Sequence, residues 1–141
     1  MKDNDQSSQQ GSTEKLSDRV LKKTILVVED DWNSQKYYEC LLSSEYDIYT
    51  ASTGGSAFSM LEEFGFDLVL MDIMIIGDED GLSLTRRLRS NPKYARLPII
   101  AISAYAFPED RAKALKAGCN DFLAKPVRKD DLLKAINTYV K

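Results

Sequence analysis

The feature that most constrains this chain is an alternation of two kinds of segment. Five short apolar runs, TILVV (24–28), DIYTA (47–51), DLVLM (67–71), PIIAI (98–102) and DFLA (121–124), are separated by longer stretches of helical periodicity. Runs this short and this continuously apolar suit strands buried on both faces. Helices between them provide the crossovers that parallel neighbours require. Right-handed crossovers then predict an α/β domain: a doubly wound, five-stranded parallel sheet of order 2-1-3-4-5 with helices on both faces. Asp31 or Asn33 is placed to cap the first helix, with Tyr37, Leu41 and Leu42 on its apolar face. Residues 53–64 carry a stripe of Ala57, Met60, Leu61 and Phe64, and Leu84 and Leu88 lie four apart within Asp80–Arg89. Pro108 suits the first turn of a helix running to about Ala117, with Gly118 as its stop. Leu132, Leu133, Ile136 and Val140 form the last apolar face.

Residues 1–23 read differently. The first 13 contain no large apolar side chain after Met1 and are expected to form a disordered polar tail. Residues 14–23 suit a short helix or a basic junction, so the folded domain is assigned to 24–141.

Composition removes several function classes. There is no histidine in the 141 residues, which excludes Ser-His-Asp and Cys-His nucleophile systems and His-ligated zinc. A net charge of −3 without a clustered basic face argues against nucleic acid as a partner. No apolar run approaches the roughly 20 residues that span a bilayer, and the N-terminus lacks the apolar stretch of a secretory signal. Cys40 and Cys119 show neither metal-ligand spacing nor a disulfide framework, which points to a reduced, cytoplasmic protein.

In a sheet of this order the working crevice lies beyond the carboxyl ends of the strands. Strand 1 ends in Glu29-Asp30-Asp31, strand 3 in Asp72, strand 4 in Ser103 and strand 5 in Lys125-Pro126. Asp72 stands in LVLMDIMII with four apolar residues on each side, a setting that is costly for a carboxylate unless it is paired or bound to a metal. A lone aspartate there would pass as a strand-end acid, and a lone Lys-Pro or Ser as a loop residue. Four neighbouring ends that converge on acid, acid, hydroxyl and amine are harder to dismiss. Gathered carboxylates with room for water suit Mg²⁺. The set suits phosphoryl transfer onto Asp72 as nucleophile, with Ser103 and Lys125 holding the phosphoryl oxygens.

The strings ILVVED, LVLMD, AISA and FLAKP, in this order and spacing, resemble the receiver domain of two-component response regulators over roughly residues 24–141. That resemblance implies a flavodoxin-like fold and a phosphorelay role. It implies Asp72 as phosphoacceptor and Asp30 as direct Mg²⁺ ligand, with Glu29 holding a metal-bound water. The backbone carbonyl of Met74 would complete the set. Ser103 takes the place of the switch hydroxyl, Lys125 that of the phosphoryl-contacting lysine, and Phe122 that of the switch aromatic. Met74 and Tyr105 fall where side chains tune hydrolysis of the acyl phosphate, and their size implies a long-lived phosphoryl group. The Lys125–Pro126 bond is expected to be cis. The implied donor is a phosphohistidine on a histidine kinase or phosphotransfer protein. The implied readout is a downstream protein that meets helix 4, strand 5 and helix 5, with a phosphorylation-dependent dimer as a further option.

The stretch DIMIIGDEDG departs from the family pattern. Ile76 replaces a common proline, and Gly81 falls nine residues after Asp72, one later than usual. Asp78, Glu79 and Asp80 are read as a solvated turn and helix cap; a calcium EF-hand loop is rejected, since its first and twelfth positions would be Ile76 and Arg87. Cys119 reads as a small buried residue rather than a redox sensor. The main expectation is a stand-alone receiver that catalyses only its own phosphorylation and dephosphorylation. Its alternatives are a same-fold binding module not regulated by phosphorylation and the receiver segment of a hybrid histidine kinase. A Mg²⁺-dependent phosphatase is disfavoured because no segment is long enough for a substrate cap.

Overall fold

The computed structural model describes residues 21–75, 77 and 79–140. The expectations for the tail, and for Ile76 and Asp78, therefore fall outside the described residues. In chain order the elements are β1 (Lys23–Val28), α1 (Trp32–Leu42), β2 (Tyr46–Ala51), α2 (Gly54–Glu63), β3 (Leu68–Asp72), α3 (Gly81–Arg89), a 3₁₀ turn (Pro92–Tyr94), β4 (Ile99–Ser103), α4 (Pro108–Ala117), β5 (Asp121–Ala124) and α5 (Lys129–Tyr139). All four strand pairings are parallel and the order is β2-β1-β3-β4-β5, as expected from the alternation.

Side chains alternate across the sheet and divide the core into two layers. Leu26, Val28, Val69, Met71, Ile99 and Ala101 face Ala57 and Leu61 of α2, Leu84 and Leu88 of α3, and Ala114 of α4. Ile25, Val27, Leu68, Leu70, Ile100 and Ile102 face Tyr38 and Leu42 of α1 and Leu132, Ala135 and Ile136 of α5. β3 and β4 are buried along their whole length, which explains why their sequence shows no polar alternation.

Local chemistry sets the helix ends. Asp31 caps α1 by accepting the Ser34 N–H at 2.9 Å, and Thr53 and Ser56 form a reciprocal capping box at α2. Pro108 opens α4, and Gly118 closes it in the left-handed region at φ 118°. Two expected faces need correction. The buried face of α1 is Gln35, Tyr38 and Leu42, while Tyr37 is exposed. Gln35 is drawn inward because its amide donates to the Glu29 carbonyl at 2.6 Å. The α2 stripe is also narrower: Ala57 and Leu61 are buried, Met60 is half-buried and Phe64 is exposed.

Gly81 fixes the path of the chain beside Asp72. A Cβ there would lie 2.6 Å from both the Asp72 carbonyl oxygen and the Ile73 Cα. Only a glycine lets α3 start against the end of β3. The irregular loop after Asp72 therefore returns to a fixed point beside that residue.

Candidate functional site

The parallel register brings three strand ends to one place. Val28 pairs with Met71, so Glu29 emerges alongside Asp72; Ser103 pairs with Ala124, so Lys125 emerges one step beyond Ser103. Carboxylate oxygens of Glu29, Asp30 and Asp72 lie within 4.8 Å of one another. The Lys125 ammonium sits between two of them, donating to Glu29 Oε1 and to Asp72 Oδ2, each at 3.0 Å. The remaining oxygens face backbone donors: the Asp31 N–H reaches Glu29 Oε2 at 3.0 Å, and the Met74 N–H reaches Asp72 Oδ1 at 2.9 Å.

Glu29 is 1% exposed and Asp72 6%, so both charges are held out of solvent. Burial pushes the Glu29 carboxyl up to about 7; the Asp31 N–H and the Lys125 ammonium pull it back, and the Asp72 charge adds to the rise. Burial alone would lower Lys125, but its hydrogen bonds to Asp72 and Glu29 outweigh that and hold its pKa above the usual lysine range. Beneath the site the Tyr38 phenol is pushed up to about 12, mainly by burial, with Lys125, Glu29 and Asp72 all acting on it. Clustered oxygen donors of this kind fit a hard divalent cation, and the exposed side of Asp30 leaves water room to complete its shell.

The other sequence-predicted residues stand around this centre. Ser103 is fully buried, and its hydroxyl accepts the Tyr105 N–H at 3.0 Å; among the described residues no hydrogen bond joins it to Asp72 or to the Lys125 ammonium. Ser103 meets Lys125 through the backbone, its carbonyl accepting the Lys125 N–H at 2.8 Å. The Lys125–Pro126 bond is cis. Phe122 is 7% exposed and lies in the core layer under α2, α3 and α4. The Met74 and Tyr105 side chains are exposed at the rim. Trp32 is exposed beside the acidic triplet with Lys36 over its ring. Cys119 is buried against Thr85.

The loop acids require a correction. Asp80 caps α3 as expected, accepting the Ser83 N–H at 2.8 Å. Glu79, however, is no free solvated residue. It accepts two N–H groups of Arg87, at 2.7 and 3.2 Å, and packs against the start of α2 at Gly54. Gln35, Tyr38 and the Glu79–Arg87 pair were not legible in the sequence. Gln35 and the Glu79–Arg87 pair find their partners away from any local motif, and Tyr38 is set beside the site only by the packing of α1 on the sheet.

A doubly wound parallel sheet with buried carboxylates and a lysine joined at the carboxyl ends of β1, β3 and β5 defines a class of single-site α/β domains. Comparison with known proteins places the chain within that class. Residues 25–137 match the response regulator receiver domain family. A 14.6 kDa protein in the sodA1 3′ region of Leptolyngbya boryana is 39% identical over 82% of this chain and 88% of its own length. The polar-differentiation response regulator DivK of Brucella ovis is 28% identical over 84% of this chain and 96% of its own. The receiver domain of the sensor histidine kinase PA1611 from Pseudomonas aeruginosa PAO1 superposes with a TM-score of 0.77 at 35% identity, over 84% of this chain and 98% of that one. Its structure carries a magnesium ion coordinated in the active-site cleft. The chain belongs to the response regulator receiver domain family of two-component systems. Members are signalling modules rather than substrate-turnover enzymes. Among the described residues, no helix is long and apolar enough to cross a membrane.

Proposed function

We propose that this receiver accepts a phosphoryl group on Asp72 from a phosphohistidine of a partner histidine kinase or phosphotransfer protein. The observation that carries the reading is the Lys125 ammonium held 3.0 Å from both Glu29 and Asp72, beside a cluster of three carboxylates. An Asp72 oxygen attacks phosphorus, the P–N bond breaks, and the imidazole leaves with its electron pair and takes a proton from solvent. Lys125 follows the charge, turning from the carboxylates to a phosphoryl oxygen. Glu29, Asp30, Asp72 and the Met74 carbonyl would hold Mg²⁺, which would neutralise the phosphoryl oxygens.

Ser103 exchanges the Tyr105 N–H for a phosphoryl oxygen, donating its own proton, and that movement alters the packing against Phe122. The new dianion thereby biases a two-state surface formed by α4, β5 and α5, which a downstream protein or a second copy reads. Self-catalysed loss of the phosphoryl group by hydrolysis returns the domain to its first state. A reduced cytoplasmic setting accords with two unpaired cysteines and the absence of a long apolar helix among the described residues.

Incubation with Mg²⁺ and a small acyl phosphate, followed by intact-mass measurement, tests the reading. A phosphoryl adduct is expected on the native protein and none on Asp72→Asn. An unmodified native protein would overturn the reading in favour of a binding module that phosphorylation does not regulate.

A further inference from the structure

Tyr38 is the most buried of the described tyrosines, at 3% exposure, and the only buried one whose hydroxyl has no hydrogen-bond partner among the described residues. The other two buried tyrosines are served, Tyr46 donating to Asn137 and Tyr94 to Glu62. Half-buried Tyr139 donates to the Asn120 carbonyl, and even the exposed Tyr37 reaches the Val127 carbonyl. A buried phenol without a partner is costly and rare. Its surroundings say what it waits for. Tyr38 lines a narrow gap together with Val27, Val28, Leu70, Ile102, Glu29 and Asp72, and the gap has no room for a water molecule. Of these seven side chains Tyr38 carries the only hydroxyl; the ionised carboxylates of Glu29 and Asp72 offer only acceptors, and the rest are apolar.

We infer that Tyr38 is a positioning residue for the phosphoryl site: its hydroxyl takes over the Glu29 carboxylate when Lys125 leaves it for the incoming phosphoryl group. This rests on the phosphotransfer reading above. In the structure as it stands, Lys125 is the sole side-chain donor to Glu29 Oε1 among the described residues. Once that ammonium turns away, a 1%-exposed carboxylate oxygen has lost its hydrogen-bond donor, which the Mg²⁺ that Glu29 would help to hold does not replace. No water fits the gap to replace it, and Tyr38 is the donor already lining the same wall. The phenol is poorly satisfied before phosphorylation and satisfied after it, so it favours the phosphorylated state. A phenylalanine would fill the layer between α1 and the sheet but would leave Glu29 without a donor at that step.

The test compares wild type, Tyr38→Phe, Glu29→Gln and the double variant. Trp32 fluorescence follows titrations with Mg²⁺ alone and with Mg²⁺ plus beryllofluoride, a stand-in for the phosphoryl group. Tyr38→Phe is expected to weaken beryllofluoride binding about tenfold more than it weakens Mg²⁺ binding, the size of one lost hydrogen bond to a charged group. In the Glu29→Gln background the same change is expected to have less than a third of that effect, because the two residues act through one contact. Equal weakening of both ligands, or an undiminished effect in Glu29→Gln, would show that the phenol acts only through packing and overturn the inference. Intact-mass measurement on wild type with an acyl phosphate separates the two levels. A native protein that takes no phosphoryl group defeats the phosphotransfer reading and this inference with it. A phosphorylated wild type with an unaffected Tyr38→Phe defeats the inference alone.

Discussion

Two half-buried cations, Lys125 and Arg89, are held in opposite ways. Lys125 ends β5 and bridges two carboxylates, each at 3.0 Å. Arg89 ends α3 and meets no carboxylate among the described residues. Its guanidinium donates to the carbonyls of Gly118 and Tyr94 and to the Asn120 side-chain oxygen, each at 2.8 Å. Asn120 Oδ1 also accepts the Ile99 N–H at 2.8 Å, so Arg89 ties α3, the 3₁₀ turn and the entries to β4 and β5 into one corner. Burial lowers the Arg89 pKa, though a guanidinium stays charged throughout. A forked cation on fixed neutral acceptors has one arrangement. A flexible ammonium between two carboxylates can change acceptors without leaving the cluster. The first builds the frame, and the second is suited to a reaction.

Removing each cation should separate the two roles. Arg89→Met keeps the apolar stem but removes the guanidinium from three oxygens, those of Gly118 and Tyr94 in part-buried bonds. A loss of about 2–3 kcal/mol in chemical denaturation is expected, with Mg²⁺ giving no recovery beyond its effect on wild type. Lys125→Met leaves two carboxylates facing each other without a counter-charge. The metal-free protein should lose about 2 kcal/mol, and saturating Mg²⁺ should restore more than half of it. The Lys125 variant should also lose phosphoryl uptake, whereas Arg89→Met should retain it at temperatures where it is folded. Recovery of the Arg89 variant by Mg²⁺ would erase the distinction.

The same contrast explains what could be read from the sequence. Strand positions fall within one residue of expectation, most plainly at β3 and β4, which are buried along their whole length and so are apolar throughout up to their terminal Asp72 and Ser103. The edge strands β2 and β5 are part-exposed and carry polar residues, against the expectation of burial on both faces. Asp72 was legible because a carboxylate inside that apolar stretch has no ordinary reason to be there. Lys125 became legible only beside the other strand ends. Arg89 was invisible: its acceptors are backbone and amide oxygens up to 31 positions away, and any residue can supply a carbonyl. The α1 face was misphased for a related reason. Gln35 looks like a surface residue until its bond to the Glu29 carbonyl is seen, and Tyr37 looks like core until its hydroxyl is found on the Val127 carbonyl.

A pH titration sharpens the comparison without touching the frame. Burial raises the folded-state pKa of Glu29 from 4.5 to about 7. Between those values the folded chain keeps a proton that the unfolded chain has released, so stability falls as pH rises through that window and levels off above it. Lys125 adds no slope there, because its pKa lies above the ordinary lysine value. Denaturation of the metal-free protein should therefore give a lower stability at about pH 8 than at about pH 5. Glu29→Gln should flatten this difference and Arg89→Met should leave it in place. An unchanged slope in Glu29→Gln would assign the titration to another group.

The smallest effect is expected at the rim, which only the Lys125 site possesses. Met74 is 54% exposed and Tyr105 55%, yet the backbone of each is tied to a residue of the proposed phosphoryl site: the Met74 N–H to Asp72 Oδ1 and the Tyr105 N–H to Ser103 Oγ. Both side chains are therefore anchored at the mouth of the site while their outer atoms remain in solvent. On the proposed phosphotransfer, water that attacks an acyl phosphate on Asp72 would enter past them. Tyr105→Ala should shorten the phosphoryl half-life about threefold, equivalent to about 0.6 kcal/mol of barrier, with no change in denaturation midpoint. Phosphoryl decay after removal of the donor measures it directly. A half-life that does not respond to Tyr105→Ala would mean that the ring swings clear of the water's path, leaving access to be set by the buried groups alone.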